Sequence, residues 1–167
     1  EPPPEPVPRQ RDGGLEEGWH TWWGVNGAVV GQTNYTKGNG AILLKHDNGK
    51  VSLEGAVVNG KPHGKWTWYD ENGAKTQEVE YTLGSGAGSV FYPDGTKAIQ
   101  LSLKDGSRHG YWKYWNSQGQ LEREGEYKEG SMINTWIYYD AGVESYKLCF
   151  IDGYATVTDG CQASWLM

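Results

Sequence analysis

The chain is poor in the residues that usually fill a hydrophobic interior. It has 2 Phe, 2 Met and 2 Cys, and its mean hydropathy is −0.72. No apolar run approaches the ~18 residues that a membrane-spanning helix requires, and none reads as a signal peptide. The 15 Lys and Arg residues are scattered, and 21 Asp and Glu give a net charge of −6. That balance argues against nucleic acid or an anionic membrane surface as a nonspecific partner. Cys149 and Cys161 lie close together near the C-terminus. This spacing suits a disulfide closing a short loop or two reduced thiols, whereas a zinc site would need a second ligand pair. The length suits one ordinary domain or one short repeat array, and is too small for two enzyme-sized domains.

What is abundant is glycine, tryptophan and tyrosine: 25, 9 and 11 residues. Glycine supplies turns, while Trp and Tyr supply apolar area with a polar tip, so a thin, sheet-rich structure can be held together without a thick aliphatic core. The glycines are periodic. With units started at Gly18, Gly40, Gly64, Gly86, Gly110 and Asn134, a glycine follows nine residues later at Gly27, Gly49, Gly73, Gly95 and Gly119. Another follows twenty residues after the start, at Gly38, Gly60, Gly84, Gly106 and Gly130. The last unit carries both one residue early, at Gly142 and Gly153.

Between the glycines the apolar sites are also fixed. Position 4 holds Trp22, Leu44, Trp68, Val90, Tyr114 and Tyr138, and position 17 holds Tyr35, Val57, Tyr81, Leu103 and Tyr127, with Phe150 in the shortened unit. Each unit of about 22 to 24 residues therefore reads as strand, tight turn, strand, looser turn, the tight turn falling at the Asn-Gly or Asp-Gly pair. Alternation puts Trp66 with Trp68, Trp112 with Tyr114, and Trp136 with Tyr138 on one face of their strands, so stacked units predict an aromatic ladder. Gly88 stands where three units carry Trp66, Trp112 and Trp136, which predicts a gap in that ladder bordered by Trp68, Trp112 and Tyr114. These seven residues are the candidate partner-binding positions.

The pattern G-x-W-x-x-Y/W, then N/D-G, then Y-x-x-G resembles the bacterial MORN-like repeats, whose variants include antitoxin-component-like proteins. The resemblance spans Gly18 to about Gly153. It implies an all-β fold, an elongated, twisted antiparallel meander of six β-hairpin repeats, each hairpin pairing with the next. Units then occupy 18–153, residues 1–17 form a proline-rich tether, and residues 154–167 form a C-terminal cap. A Cys149–Cys161 bridge would pin that cap, with Trp165 and Leu166 over the final edge.

The stretch Glu1 to Gly14 holds five of the seven prolines and has no periodic apolar face. It resembles the segment after the lipidated cysteine of bacterial lipoproteins. A membrane-anchored protein of the cell envelope is the expectation, and a cytoplasmic protein is the alternative.

The sequence carries no recognisable catalytic arrangement. The segment 84–89 is glycine-rich but lies between strands, with no following helix to cradle a phosphate. His20, His46, His63 and His109 are dispersed, and His63 and His109 each precede a unit start, which points to a shared structural environment. No catalytic, cofactor or metal site is expected. The expected function is noncatalytic protein binding or scaffolding. The alternatives are an immunity protein neutralising a toxin, and a carbohydrate-binding module using ring faces.

Overall fold

The computed structural model describes residues 10–12, 14–151 and 153–156. Every regular element among them is a β-strand: β1 (Gln10–Asp12), β2 (Leu15–Trp23), β3 (Val29–Tyr35), β4 (Gly40–Lys45), β5 (Val51–Val58), β6 (Lys61–Tyr69), β7 (Lys75–Thr82), β8 (Ser85–Phe91), β9 (Lys97–Lys104), β10 (Ser107–Arg108), β11 (Gly110–Trp115), β12 (Leu121–Lys128), β13 (Ser131–Asp140), β14 (Val143–Ile151) and β15 (Tyr154–Thr156). The chain divides into two compact units, Glu1–Ser85 and Gly86–Met167. In each, strands pair antiparallel as a meander, β1 to β7 in the first and β8, β9 and β11 to β15 in the second, where the two-residue β10 pairs with β9 alone. The six hairpins β2/β3, β4/β5, β6/β7, β8/β9, β11/β12 and β13/β14 coincide with the six sequence units.

The turns reverse the sequence expectation. Where Asn-Gly and its analogues occur, the loop has three residues: Gly27 N donates to Gly24 O at 3.0 Å, and Gly24 N to Ala28 O at 2.8 Å. Gly27 takes φ +78° there, the left-handed residue that follows a type I turn. The tighter turns are those between units and that of the last hairpin, where Asp140 pairs with Val143 across Ala141-Gly142. Lys37-Gly38, Asn59-Gly60, Leu83-Gly84, Asp105-Gly106 and Glu129-Gly130 have positive φ at both residues, as a two-residue type I′ turn demands. Leu83 is strained by this geometry, with φ +47° and no glycine to relieve it.

Each unit carries a terminal strand outside residues 18–153. Gln10–Asp12 pairs with Leu15–Glu17 through a turn at Gly14, φ +86°, and so adds a strand to the first unit. At the other end Tyr154–Thr156 pairs with Cys149–Ile151. The remainder of the tether and cap, including Cys161, Trp165 and Leu166, lies outside the described residues.

A second regularity appears at the unit starts. Gly18, Gly64, Gly110 and Asn134 take positive φ, between 58° and 80°, whereas Gly40 and Gly86 are absent from the positive-φ residues. At Gly64 the ladder jumps: Glu54 pairs Thr67 and Ala56 pairs His63, so Gly64, Lys65 and Trp66 together face the single residue Gly55. Asn134, Thr135 and Trp136 likewise face Gly125. The bulge swings the Trp ring over the preceding strand, where a Cβ on Gly55 or Gly125 would come within 2.3 Å of the indole.

Candidate binding face

Three tryptophans are set by this bulge in the same way. Trp66 Nε1 donates to Ala56 O at 2.9 Å, Trp112 Nε1 to Ser102 O at 2.9 Å, and Trp136 Nε1 to Glu126 O at 3.2 Å. Each ring meets the aromatic residue of position 17 edge-on: Trp66 with Tyr81, Trp112 with Tyr127, and Trp136 with Phe150, at centroid distances of 6.2, 5.3 and 6.4 Å. His20 takes the same place in the first hairpin, edge-on to Tyr35 at 4.8 Å. Trp66, Trp112 and Trp136 are 8%, 7% and 0% exposed, so these three candidate binding residues form the core. Burying such a ring contributes about 1.5–3 kcal/mol.

Gly88 stands directly opposite Leu101 in the β8/β9 ladder, and Leu101 is buried. The small residue on one strand is thus matched by a large one on its partner. The expected border of the gap is divided: Trp68 belongs to the first compact unit, while Gly88, Trp112 and Tyr114 belong to the second.

The other three candidates, Trp68, Tyr114 and Tyr138, are half-buried and occupy an accessible row. Residues of this row are direct cross-strand partners. In the first unit it runs Trp22, Gly31, Leu44, Leu53, Trp68, Gln77. In the second it runs Val90, Ile99, Tyr114, Arg123, Tyr138, Tyr146. The Arg123 guanidinium sits 4.3 Å over the Tyr114 ring, and Tyr138 stacks on Tyr146 at 4.7 Å with planes 6° apart. Arg108 lies 5.2 Å over Tyr127 and donates from Nη1 to its hydroxyl at 3.3 Å. Burial, followed by the neighbouring Tyr127 hydroxyl 3.2 Å away, raises the Tyr114 phenol far above its ordinary value, so its proton stays on.

Sequence reasoning missed Arg108, Arg123 and Tyr146. Arg123 and Tyr146 become visible only when position 13, or position 12 in the shortened last unit, is read as the partner of position 4, which requires the bulge after each turn. In the second unit that bulge falls between Tyr114 and Trp115, and between Tyr138 and Tyr139.

Another face of the second unit carries Glu124, which is 9% exposed. Its carboxylate takes Tyr139 Oη at 2.6 Å and Lys113 Nζ at 2.8 Å. Burial pushes the Glu124 carboxyl up, but the bonds from Lys113 and Tyr139 outweigh it and hold the group below the usual glutamate value. The same bond pushes the Tyr139 phenol up to about 12. Glu54 and Tyr69 repeat this contact in the first unit at 2.6 Å.

Three of the four histidines are drawn into local structure. His46 Nε2 lies 2.9 Å from Tyr69 O, His63 Nδ1 accepts Leu83 N at 3.4 Å, and His20 faces Glu16 at 3.1 Å. Among the described residues no three His, Cys, Asp or Glu side chains gather as a metal site.

The MORN repeat variant matches residues 62–82 and 108–129. These segments are the hairpins β6/β7 and β11/β12, each holding a bulged Trp and its edge-on Tyr. No curated protein matches the chain. Among solved structures, the chain is similar to a mutant of S. aureus TarM in complex with Fondaparinux, α-GlcNAc-glycerol and UDP, with TM-score 0.41 and 11% identity over 69% of this chain. A second crystal structure of TarM gives TM-score 0.28 and 12% identity over 68% of this chain. In both cases the chain spans 20% of the TarM chain.

Proposed function

We propose that this chain is a noncatalytic binding or scaffold protein that engages another protein through the accessible row of its repeat sheet. MORN repeats are generally found in binding or scaffold proteins, and two hairpins match the repeat variant. The observation that carries the reading is the second-unit row, in which Tyr114, Arg123, Tyr138 and Tyr146 stand side by side on four adjacent strands. Tyr and Arg dominate binding hot spots because they bury much area and retain a polar end. Rows spaced by the sheet ladder hold such groups at fixed separations with little entropy left to lose on binding.

The test is affinity capture from the native source, followed by a binding titration with the purified partner. Tyr146→Ala, at a ring that is 53% exposed, is expected to weaken binding about 30-fold, as for a hot-spot residue. Unchanged affinity with Tyr146→Ala and Tyr138→Ala together removes this face from the proposal. Residence in the cell envelope belongs to the same reading, and rests on the likeness of the Glu1 to Gly14 sequence to the segment after the lipidated cysteine of bacterial lipoproteins, with which a Cys149–Cys161 pair is consistent.

A further inference from the structure

We infer that the second-unit row recognises an acidic peptide segment, with Arg123 as the carboxylate anchor. This inference rests on the binding function proposed above and specifies the chemistry of its partner. The first observation is charge. Arg108 and Arg123 are both exposed, and among the described residues neither is paired with a carboxylate. By contrast, Lys65, Lys75, Lys113 and Lys147 each have a carboxylate partner within 3.0 Å. In a chain of net charge −6, two unneutralised guanidinium groups on one aromatic face are a local inversion of sign.

The second observation is how the groups are held. Arg123 lies against the Tyr114 ring at 4.3 Å, which supports the planar cation from one side and leaves the N–H fork for a ligand. A planar fork matches the two oxygens of a carboxylate, and such bidentate bonds are the strong ones. Tyr138, directly opposite Arg123, and Tyr146 beyond it supply hydroxyls and ring edges along the line an extended peptide would follow across the strands.

The third observation separates peptide from glycan. Sugar rings stack on open aromatic faces. Here Tyr114 is stacked with Trp112, planes 28° apart, and carries Arg123, while Tyr138 is stacked on Tyr146. The row therefore offers charge, hydroxyls and edges, which suit a chain bearing carboxylates and amides.

The test is selection of a phage-displayed random dodecapeptide library on the full chain, followed by titration of the winning synthetic peptides. Enrichment of Asp and Glu, with roughly ten- to hundred-fold weaker binding to Arg123→Gln, supports the inference. Arg123→Lys, which keeps the charge and loses the fork, is expected to fall between. Affinity that decreases as salt rises supports it further. Selected peptides without acidic enrichment, or equal affinity for wild type and a folded Arg123→Gln, overturn it. So does retention of polygalacturonate with no peptide selected. A protein partner that loses affinity with Tyr146→Ala but not with Arg123→Gln overturns this inference alone and leaves the binding function standing.

Discussion

Replacing Gly125 by alanine tests the central packing device, because it adds a single methyl group where the Trp136 indole lies. An ideal Cβ there stands 2.3 Å from Cδ2 and 2.5 Å from both Cε2 and Cγ of Trp136. The obstacle is a fully buried ring, 0% exposed, with no room to withdraw into solvent. Overpacking of this kind costs about 1–3 kcal/mol. Displacing the ring also lengthens the 3.2 Å bond from Trp136 Nε1 to Glu126 O, at about 1 kcal/mol. Alanine returns about 0.5–1 kcal/mol by restricting the unfolded backbone. The expected net loss is about 2 kcal/mol, read from urea unfolding followed by tryptophan fluorescence and by far-ultraviolet circular dichroism. Trp136→Ala alone should cost about 3–5 kcal/mol. In that background Gly125→Ala should be neutral or stabilising by up to about 1 kcal/mol, because the colliding ring is gone. The cycle should therefore show a coupling of about 2–3 kcal/mol. A cost for Gly125→Ala below about 0.5 kcal/mol, or the same cost in both backgrounds, refutes the claim that this glycine exists to admit the indole.

Leu83→Gly should raise the melting temperature by about 1–2 °C, because relief of a left-handed Leu, about 1–2 kcal/mol, exceeds the about 0.5–1 kcal/mol of unfolded-chain freedom that glycine adds; a fall in a thermal melt contradicts that strain. The Glu124 carboxyl is held low in the folded chain, so its stabilisation is present above the unfolded value near ~4.3 and fades as pH falls through the lower folded value. Glu124→Gln should accordingly flatten the acid side of the stability profile, and superimposable profiles would exclude that role. Denatured, unreduced protein from an oxidising compartment should react with no thiol reagent at Cys149 or Cys161; two reactive thiols per chain would remove the proposed bridge.

The hairpin frame was readable because its glycines answer a steric demand that few other residues meet. Gly27, Gly49, Gly73, Gly95 and Gly119 all take positive φ. Turn length was less legible, since Asn-Gly suits both a type I′ turn and the left-handed end of a three-residue loop. The two-residue turns place Lys37, Leu83 and Glu129 at positive φ, and none of these residue types announces that conformation. Strand β1 was hidden because Gln10, Arg11 and Asp12 show neither alternation nor β-branching; backbone pairing with β2 makes them a strand. The candidate site was legible by half. Alternation placed Trp66 beside Trp68 and Trp136 beside Tyr138. It could not foresee that the bulge would commit Trp66 and Trp136 to the interior while Arg123 and Tyr146 joined the open row.

The alternation of bulged and plain unit starts, which holds through the first five units and ends at the bulged Asn134, means that one hairpin is not interchangeable with the next. Gly18, Gly64 and Gly110 recur every 46 residues, as do Gly40 and Gly86, and the two segments matching the MORN repeat variant begin 46 residues apart, at 62 and 108. Through the first five units the repeating module is therefore a pair of hairpins, one beginning at a positive-φ glycine and the other at a plain start. Lengthening such an array by whole pairs would keep this alternation, while the last two hairpins, both bulged, show that a bulged strand also packs beside another bulged hairpin, with Trp136 lying over Gly125 of the Trp112 hairpin.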